Sequence, residues 1–196
     1  MEFKHEPVLM NEVIEGLKIR PDGIYVDGTL GGAGHSGEIL KRLDSGLLVG
    51  IDQDDAALAA ARKHLESIGD NFQLVKGNFV DMPAILKALH IEEVDGILLD
   101  IGVSSHQFDS AERGFSYRFD GPLDMRMDRT MSLRAYDIVN TYSEKDLAKI
   151  IKSYGEERWA DRIAQFIVKE RKEAPIATTF QLVTVIKKAI PKKVRQ

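Results

Sequence analysis

The residues best suited to chemistry lie in a glycine-rich stretch between an apolar segment and a helical pattern. Asp27 follows the apolar residues 24–26, and residues 28–35 read Gly-Thr-Leu-Gly-Gly-Ala-Gly-His. Such a density of glycine lets the backbone turn sharply or approach a ligand closely. Residues 32–37 also match the dinucleotide pattern G-x-G-x-x-G, which is weak evidence by itself because a tight strand-to-helix turn produces it too.

Two acidic residues favour a cofactor that contains a ribose. Asp52 ends the second apolar segment, 18 residues after Gly34, where an acid can accept hydrogen bonds from ribose hydroxyls. Asp27 stands before the glycines, a placement that suits the sulfonium and ammonium charges of S-adenosylmethionine better than a pyrophosphate. This placement resembles that in class I methyltransferases. The alternative for both aspartates is a local role in capping turns.

Two further candidates follow the third and fourth apolar segments. Phe79 follows residues 72–75 and could pack on an adenine ring, although a phenylalanine is more commonly a core residue. Asp100 is predicted to end a fourth strand. Because the carboxyl ends of parallel strands form the ligand crevice of an α/β sheet, both residues are expected to join Asp27 and Asp52 at one edge.

The apolar pattern predicts an α/β fold. Short apolar runs at residues 24–26, 47–51, 72–75 and 94–101 alternate with helical segments, an order typical of a parallel sheet with helices on both faces. Four strands are few for a doubly wound sheet, so the sheet is expected to be incomplete. After a long connection the pattern is wholly helical. There Ser143 and Asp146 predict a helix cap, residues 156–172 a further helix, and Thr179 the cap of the last one.

Composition and charge exclude several kinds of protein and indicate what kind of partner the chain could bind. With 43% hydrophobic and 30% charged residues, the 196-residue chain is of an ordinary globular type, and the absence of cysteine excludes disulfides, cysteine-ligated zinc and thiol nucleophiles. No signal peptide or membrane-length apolar run is evident, so a cytoplasmic location is expected. From Ser143 onward there are 13 Lys+Arg against 7 Asp+Glu, whereas residues 1–142 hold 14 against 24. This asymmetry indicates either a polyanion partner or merely a solvated helix face.

The long connection carries the most distinctive sequence. It reads Asp-Ile-Gly-Val-Ser-Ser-His-Gln-Phe-Asp over residues 100–109, Glu-Arg-Gly-Phe-Ser over 112–116 and Asp-Gly-Pro-Leu-Asp-Met-Arg-Met-Asp over 120–128. These segments, with His-x-Pro-Val at 5–8, the loop at 27–35 and Tyr-Gly-Glu-Glu-Arg at 154–158, resemble the signature of the 16S rRNA (cytosine-N4)-methyltransferase family, also called RsmH or MraW. The resemblance extends over essentially the whole chain.

The resemblance implies a fold, a cofactor and a partner. The fold would be α/β, that of a class I S-adenosylmethionine-dependent methyltransferase, Rossmann-like with a mostly parallel sheet, incomplete here, and an inserted helical domain. Residues 1–130 would form the cofactor-binding domain and residues 131–196 the substrate-recognition insert. S-adenosyl-L-methionine would be the cofactor and 16S rRNA of the small ribosomal subunit the partner, without metal or membrane. The family's cofactor contacts fall on Ala33, Gly34, His35, Asp52, Phe79, Asp100 and Gln107.

Family members continue well beyond residue 196, so the chain is expected to be C-terminally truncated. The implied reaction is demanding, because the lone pair of the cytosine N4 amine is delocalised into the ring. Catalysis would depend mainly on holding that amine in line with the sulfonium methyl group. Asp100, or a nearby backbone carbonyl, is the candidate acceptor for an amine N–H. Methylation at cytosine C5 uses a cysteine and is excluded, since the chain has none. The five histidines show no metal-ligand spacing.

Two other functions remain open from the sequence. The literal G-x-G-x-x-G pattern would also suit a nicotinamide-dependent oxidoreductase, which would bind NAD and not S-adenosylmethionine. The basic helical part would also suit an RNA-binding module without enzymatic activity, which would bind RNA but transfer no methyl group.

Overall fold

The computed structural model describes residues 7–194, which divide between Ser104 and Ser105 into two compact units. The first unit alternates strands and helices, and the second is helical. The predicted domain boundary after residue 130 falls inside the second unit, so the long connection groups with the helices that follow it. The separate roles assigned to the two predicted domains stay predictions.

Within residues 7–104, four strands form a parallel sheet in the order β3-β2-β1-β4. The strands are β1 (Ile24–Asp27), β2 (Leu47–Asp52), β3 (Phe72–Lys76) and β4 (Gly96–Leu98). The helices are α1 (Met10–Leu17), α2 (Gly34–Leu40), α3 (Asp55–Glu66) and α4 (Met82–Ala88), and a 3-10 turn spans Phe79–Asp81. This is the Rossmann-like half-sheet that the sequence predicts, and the α/β fold class is confirmed.

Alternate residues of the central strands enter two hydrophobic clusters. Tyr25 and Leu48 pack with residues of α2 and α3, whereas Val26 and Val49 pack with residues of α4. Because successive side chains of a strand point to opposite faces, the two clusters lie on opposite sides of the sheet. Helices therefore cover both faces, and the carboxyl ends of the strands form one edge.

The fourth strand is shorter than its apolar pattern predicts. The prediction covers residues 94–101, but pairing with β1 ends where Leu98 lies opposite Asp27. Since β1 itself stops at Asp27, the residues after Leu98 have no strand backbone beside them. The prediction that Asp100 ends the strand is therefore wrong, because Asp100 lies beyond it.

The second unit contains the remaining helices of residues 105–194. They are α5 (Ser105–Asp109), α6 (Ala135–Thr141), α7 (Glu144–Gly155), α8 (Ala160–Glu170) and α9 (Thr179–Ala189), with 3-10 turns at Ala111–Arg113 and Lys192–Val194. Helices α6 to α9 enclose one apolar core, which Leu123 of the long connection joins. Arg113 orders this connection by donating to the carbonyls of Arg126 and Met127 at 3.0 and 3.1 Å.

The predicted cap of α7 is confirmed, because the hydroxyl of Ser143 accepts the N–H of Asp146 at 3.2 Å. The next helix begins at Ala160 and not at residue 156. The reason is local: Glu156 adopts a left-handed conformation, with φ 49°, that ends α7.

The cap of the last helix lies one residue earlier than predicted. Thr178 is the capping residue, and its hydroxyl accepts the N–H of Gln181 at 3.3 Å while the Gln181 side chain accepts the Thr178 N–H at 3.1 Å. Thr179 is buried instead, and its hydroxyl donates to the carbonyl of Phe119 at 3.1 Å. The two threonines are adjacent, and only tertiary packing decides which one faces the helix end.

Candidate functional site

Asp27, the last residue of β1, is a buried carboxylate held by the elements that follow it. Its Oδ2 accepts the hydroxyl hydrogen of Ser36 at 2.7 Å, and its Oδ1 accepts the backbone N–H of Thr29 at 3.1 Å. Burial raises the pKa of Asp27, while the hydrogen bonds from Ser36 and Thr29 act in the opposite direction. These two donors therefore support a negative charge that burial alone disfavours.

The loop after β1 is tied to both neighbouring strands. The N–H of Gly28 donates to the carbonyl of Leu98 at 2.9 Å, and the N–H of Leu30 donates to the carbonyl of Ile51 at 3.2 Å. The loop thus spans the carboxyl ends of β4 and β2 as well as that of β1. Its position is determined by the sheet and does not depend on the loop alone.

Two glycines of this loop have opposite surroundings. A Cβ on Gly28 would lie 2.6 Å from Cδ2 of Leu99 and 3.1 Å from Cβ of Phe79, so a side chain there would displace the end of the Leu99 side chain. A Cβ on Gly32 would meet no atom within 4 Å. The loop is therefore packed tightly at its start and open at its middle, where a ligand can approach the backbone.

The entry into α2 holds the segment that precedes α1. Ala33 adopts a left-handed conformation, with φ 61°, immediately before the helix. Gly34 faces the ring of Pro7, and a Cβ at this glycine would collide with that ring. Nε2 of the buried His35 lies 3.0 Å from the carbonyl oxygen of Val8. Gly34 and His35 thus have clear structural partners, and their predicted cofactor contacts stay predictions.

Asp52 ends β2 with its carboxylate fixed by two backbone donors. Oδ2 accepts the N–H of Gly31 at 2.8 Å, and Oδ1 accepts the N–H of Asp54 at 2.9 Å. Each carboxylate oxygen has a further lone pair, and the residue is partly exposed. Asp52 can therefore accept hydrogen bonds from a ligand without releasing the glycine loop.

Phe79 lies just past the end of β3, at the start of the 3-10 turn Phe79–Asp81. Its side chain is partly buried and packs against the cluster that contains Val26, Val49, Ile51 and Met82. The ring thus has a core role, as the more common alternative predicts. Cβ of Phe79 lies 3.1 Å from the position that a Cβ on Gly28 would occupy, so the residue neighbours the glycine loop, and a role against an adenine ring stays a prediction.

Asp100 has an exposed carboxylate and an anchored backbone. Its N–H donates to Oγ1 of Thr29 at 2.6 Å. Since Thr29 also bonds Asp27, a continuous chain of hydrogen bonds joins the ends of β1 and β4. The acidic side chain of Asp100 is thereby held near the glycine loop while remaining accessible.

Among the predicted site residues, the first unit gathers six around the carboxyl edge of its sheet: Ala33, Gly34, His35, Asp52, Phe79 and Asp100. Gln107 belongs to the second unit, where it is buried on α5, and its role stays a prediction. Sequence reasoning missed Ser36. Its signal was a small hydroxyl residue in the first turn of the helix that follows the glycines.

The arrangement suits a ligand that combines hydroxyl donors with positive charge. Carboxylates follow β1, β2 and β4, and the open glycine loop lies between them. Within residues 7–194, no group of three or more acidic or histidine side chains is placed to hold a metal ion. No helix in the same range has both the length and the apolar character that crossing a bilayer requires.

Comparison with known proteins gives a consistent family. A family model described as the MraW methylase family matches residues 2–196. The "Ribosomal RNA small subunit methyltransferase H" of Clostridioides difficile is 56% identical over 196 residues, which are 100% of this chain and 63% of that protein. The protein of the same name from Lachnospira eligens is 57% identical over 196 residues, which are 100% of this chain and 62% of that protein.

Similarity to solved structures is more distant. An rRNA methylase from Streptococcus thermophilus aligns with a TM-score of 0.35 and 19% identity, over 42% of this chain and 49% of that chain. This chain spans less than two thirds of the length of the curated relatives that it matches.

Proposed function

This chain belongs to the MraW methylase family, and we propose that it serves to transfer the methyl group of S-adenosyl-L-methionine to the N4 amine of a cytosine in 16S rRNA. The observation that carries the proposal is the pair of anchored carboxylates, Asp27 and Asp52, on either side of an open glycine loop. The names of the relatives, which refer to methylation of small-subunit ribosomal RNA, support the substrate class.

The residues present fit S-adenosylmethionine. Asp52 keeps lone pairs for the two ribose hydroxyls, and the space beside Gly32 lets the cofactor approach the loop backbone. In its ionised form, which the hydrogen bonds from Ser36 and Thr29 favour against the effect of burial, Asp27 contributes a negative potential beneath the loop that favours a cationic ligand. Of the remaining predicted contacts, those of Ala33, Gly34, His35, Phe79 and Gln107 rest on the family resemblance. When bound, this cofactor supplies an electrophilic methyl group on a sulfonium.

The task left to the protein is orientation. The amine of cytosine must turn its lone pair toward the methyl group and away from the ring, and a hydrogen-bond acceptor for an amine N–H favours that geometry. Asp100 is the acceptor that we propose, because its carboxylate is exposed at the edge of the sheet and its backbone is anchored to the glycine loop. An acceptor whose backbone is anchored loses less freedom when the amine binds than one on a free segment.

The charge of the two units supports RNA as the partner. The sequence up to Ser104 has 9 Lys+Arg against 18 Asp+Glu, whereas the sequence from Ser105 has 18 against 13. A polyanion is attracted by the second unit and repelled by the first. We therefore assign the main phosphate contacts to the second unit, and place the 16S rRNA of the small ribosomal subunit there as the proposed partner.

The test is methyl transfer by the full-length natural protein. Small ribosomal subunits that lack the modification are incubated with S-adenosylmethionine carrying a labelled methyl group, and the RNA is digested to nucleosides. We expect label in N4-methylcytidine. Label in another nucleoside would contradict the N4 assignment. Binding of NAD in place of S-adenosylmethionine, measured by calorimetry, would favour the oxidoreductase instead, and RNA binding without any label would favour a binding module.

A further inference from the structure

The hydroxyl group of Thr29 occupies a junction between the cofactor loop and the segment after β4. It accepts the N–H of Asp100 at 2.6 Å, and it lies 3.5 Å from Oδ1 of Asp27, to which it donates. The backbone N–H of Thr29 donates to the same carboxylate oxygen at 3.1 Å. A hydroxyl has one hydrogen to donate and two lone pairs that accept. The Thr29 hydroxyl can therefore accept the Asp100 N–H and donate to Asp27 at the same time.

This junction lies where strand pairing has ended. The last backbone bond between the two segments is the one from Gly28 N–H to the Leu98 carbonyl, at 2.9 Å. Beyond it, the side chain of Thr29 takes the place of a backbone acceptor for Asp100. Leu99, the residue before Asp100, is 43% exposed and gives this segment little support from packing. The hydroxyl of Thr29 is therefore the contact that anchors the Asp100 backbone beyond the paired strands.

We infer that Thr29 is a positioning residue that sets the place of Asp100 relative to the cofactor loop, an inference that rests on the proposed function. The bond from the Asp100 N–H, at 2.6 Å, is much shorter than the 3.5 Å separation from Asp27, and the role of Thr29 depends on this shorter bond. The donor of the methyl group lies at the loop and the acceptor amine at Asp100, so the hydroxyl fixes the separation that in-line transfer depends on. The role that we assign to Thr29 acts through Asp100.

The experiment replaces the hydroxyl in the full-length natural protein. Thr29→Val removes it at nearly constant volume, and Thr29→Ser keeps it. Because a small misplacement of reacting groups is costly, we expect Thr29→Val to lower kcat roughly 10- to 100-fold. The Kd for S-adenosylmethionine, measured by calorimetry, should stay close to that of the wild type. Thr29→Ser should restore most of the lost turnover.

A matched control is Ser67→Ala. The hydroxyl of Ser67 donates to the carbonyl of His64 at 2.6 Å at the exposed end of α3, in the same unit. Its removal deletes a comparable hydrogen bond far along the chain from the loop, and kcat should not change. Hydrogen exchange of the Asp100 amide gives a second readout. Exchange should be slow in the wild type and in Thr29→Ser, and faster in Thr29→Val.

Three results would overturn the inference: wild-type turnover in Thr29→Val, a proportional loss of turnover and cofactor affinity, or an equal loss in Thr29→Ser at an unchanged melting temperature. If Thr29→Val does not fold, Thr29→Ala, which also lacks the hydroxyl, takes its place in the same comparison with Thr29→Ser. A wild-type protein that transfers no methyl group would contradict the proposed function. The amide exchange of Asp100 would still decide whether Thr29 holds that residue.

Discussion

Ser36 donates a 2.7 Å hydrogen bond to Asp27, and both residues are buried, with exposed fractions of 0% and 2%. The bond joins the first turn of α2 to the end of β1 beneath the glycine loop that separates them. The loop is thus closed at its base by a buried, charge-assisted hydrogen bond. Ser36 therefore supports the acid at the end of β1.

Ser36→Ala is expected to destabilise the chain by about 1.5–3 kcal/mol near pH 7, the range for hydrogen bonds to charged groups. The pKa of Asp27 is raised in the folded state relative to the unfolded chain. The stability that this difference contributes is therefore fully present below the pKa of Asp27 in the unfolded chain, and it is lost as the pH rises through the pKa of the folded state. Removing the Ser36 hydroxyl raises the pKa of Asp27 further, so Ser36→Ala should lower the free energy of unfolding more at pH 7 than at pH 4. Urea unfolding at both pH values measures this difference.

The control for this prediction is the same change in an Asp27→Asn background. Because that background has no carboxylate charge at position 27, loss of the Ser36 hydroxyl should lower the free energy of unfolding by a smaller amount. An equal cost in both backgrounds, or at both pH values, would show that Ser36 acts through packing and not through the charge of Asp27.

Asp52→Ala is expected to weaken S-adenosylmethionine binding by about 1.5–3 kcal/mol, because the ribose hydroxyls lose a charged acceptor. Calorimetry measures the affinity, and thermal unfolding checks the fold, since Asp52 also accepts the N–H of Gly31. Asp55→Ala is the matched control, because this exposed residue pairs with Lys76 and follows Asp52 closely. An unchanged Kd in Asp52→Ala would remove this residue from the cofactor site.

Asp100→Asn, tested in the full-length natural protein, should lower turnover more than it lowers cofactor affinity. An amide oxygen is a weaker acceptor than a carboxylate, so the amine would be oriented less well. Steady-state kinetics with small ribosomal subunits gives kcat, and calorimetry gives the Kd. Asp95→Asn, at the opposite end of β4 beside Arg20, is the control. Proportional losses would make Asp100 a cofactor ligand only, and full activity would give it no role.

The basic end of the second unit should contribute to RNA binding. Lys187 and the pair Lys192 and Lys193 are exposed, whereas Lys188 forms an ion pair with Glu170 at 2.8 Å. Replacing the first three with Ala should weaken binding to all RNA sequences and flatten its salt dependence, by about 0.7 in slope for each lost phosphate contact on a single strand. Cofactor affinity should not change.

Lys188→Ala is the control for this prediction, because its ammonium group pairs with Glu170 at 2.8 Å, and we expect it to lose less RNA affinity than the triple variant loses per lysine. Filter binding of ribosomal RNA at several salt concentrations measures both variants. Wild-type binding by the triple variant would show that these lysines only solvate a helix end. The next candidate would then be Arg118, which is exposed, rather than Arg113 or Arg126, which hold the long connection together.

Features of this protein that depend on residues close together in the chain could be predicted from local sequence patterns. Runs of apolar residues predicted β1, β2 and β3, and turn chemistry placed Asp27 and Asp52 at strand ends, because both signals are carried within a few residues of each other. The motifs of the glycine loop and of the long connection sufficed for the family. None of these needed knowledge of which segments meet in space.

The end of β4 and the anchor of Asp100 depend on contacts between segments that are far apart in the chain. The apolar run continues past Leu98, but its pairing stops because β1, a partner some seventy residues earlier in the sequence, has already ended. The hydrogen bonds from Ser36 to Asp27 and from Asp100 to Thr29 also depend on contacts between separate elements. Each depends on the register between strands and on the path of the loop that joins them. Packing of the whole sheet sets the strand register and the loop path, and a local pattern of residues does not predict either of them.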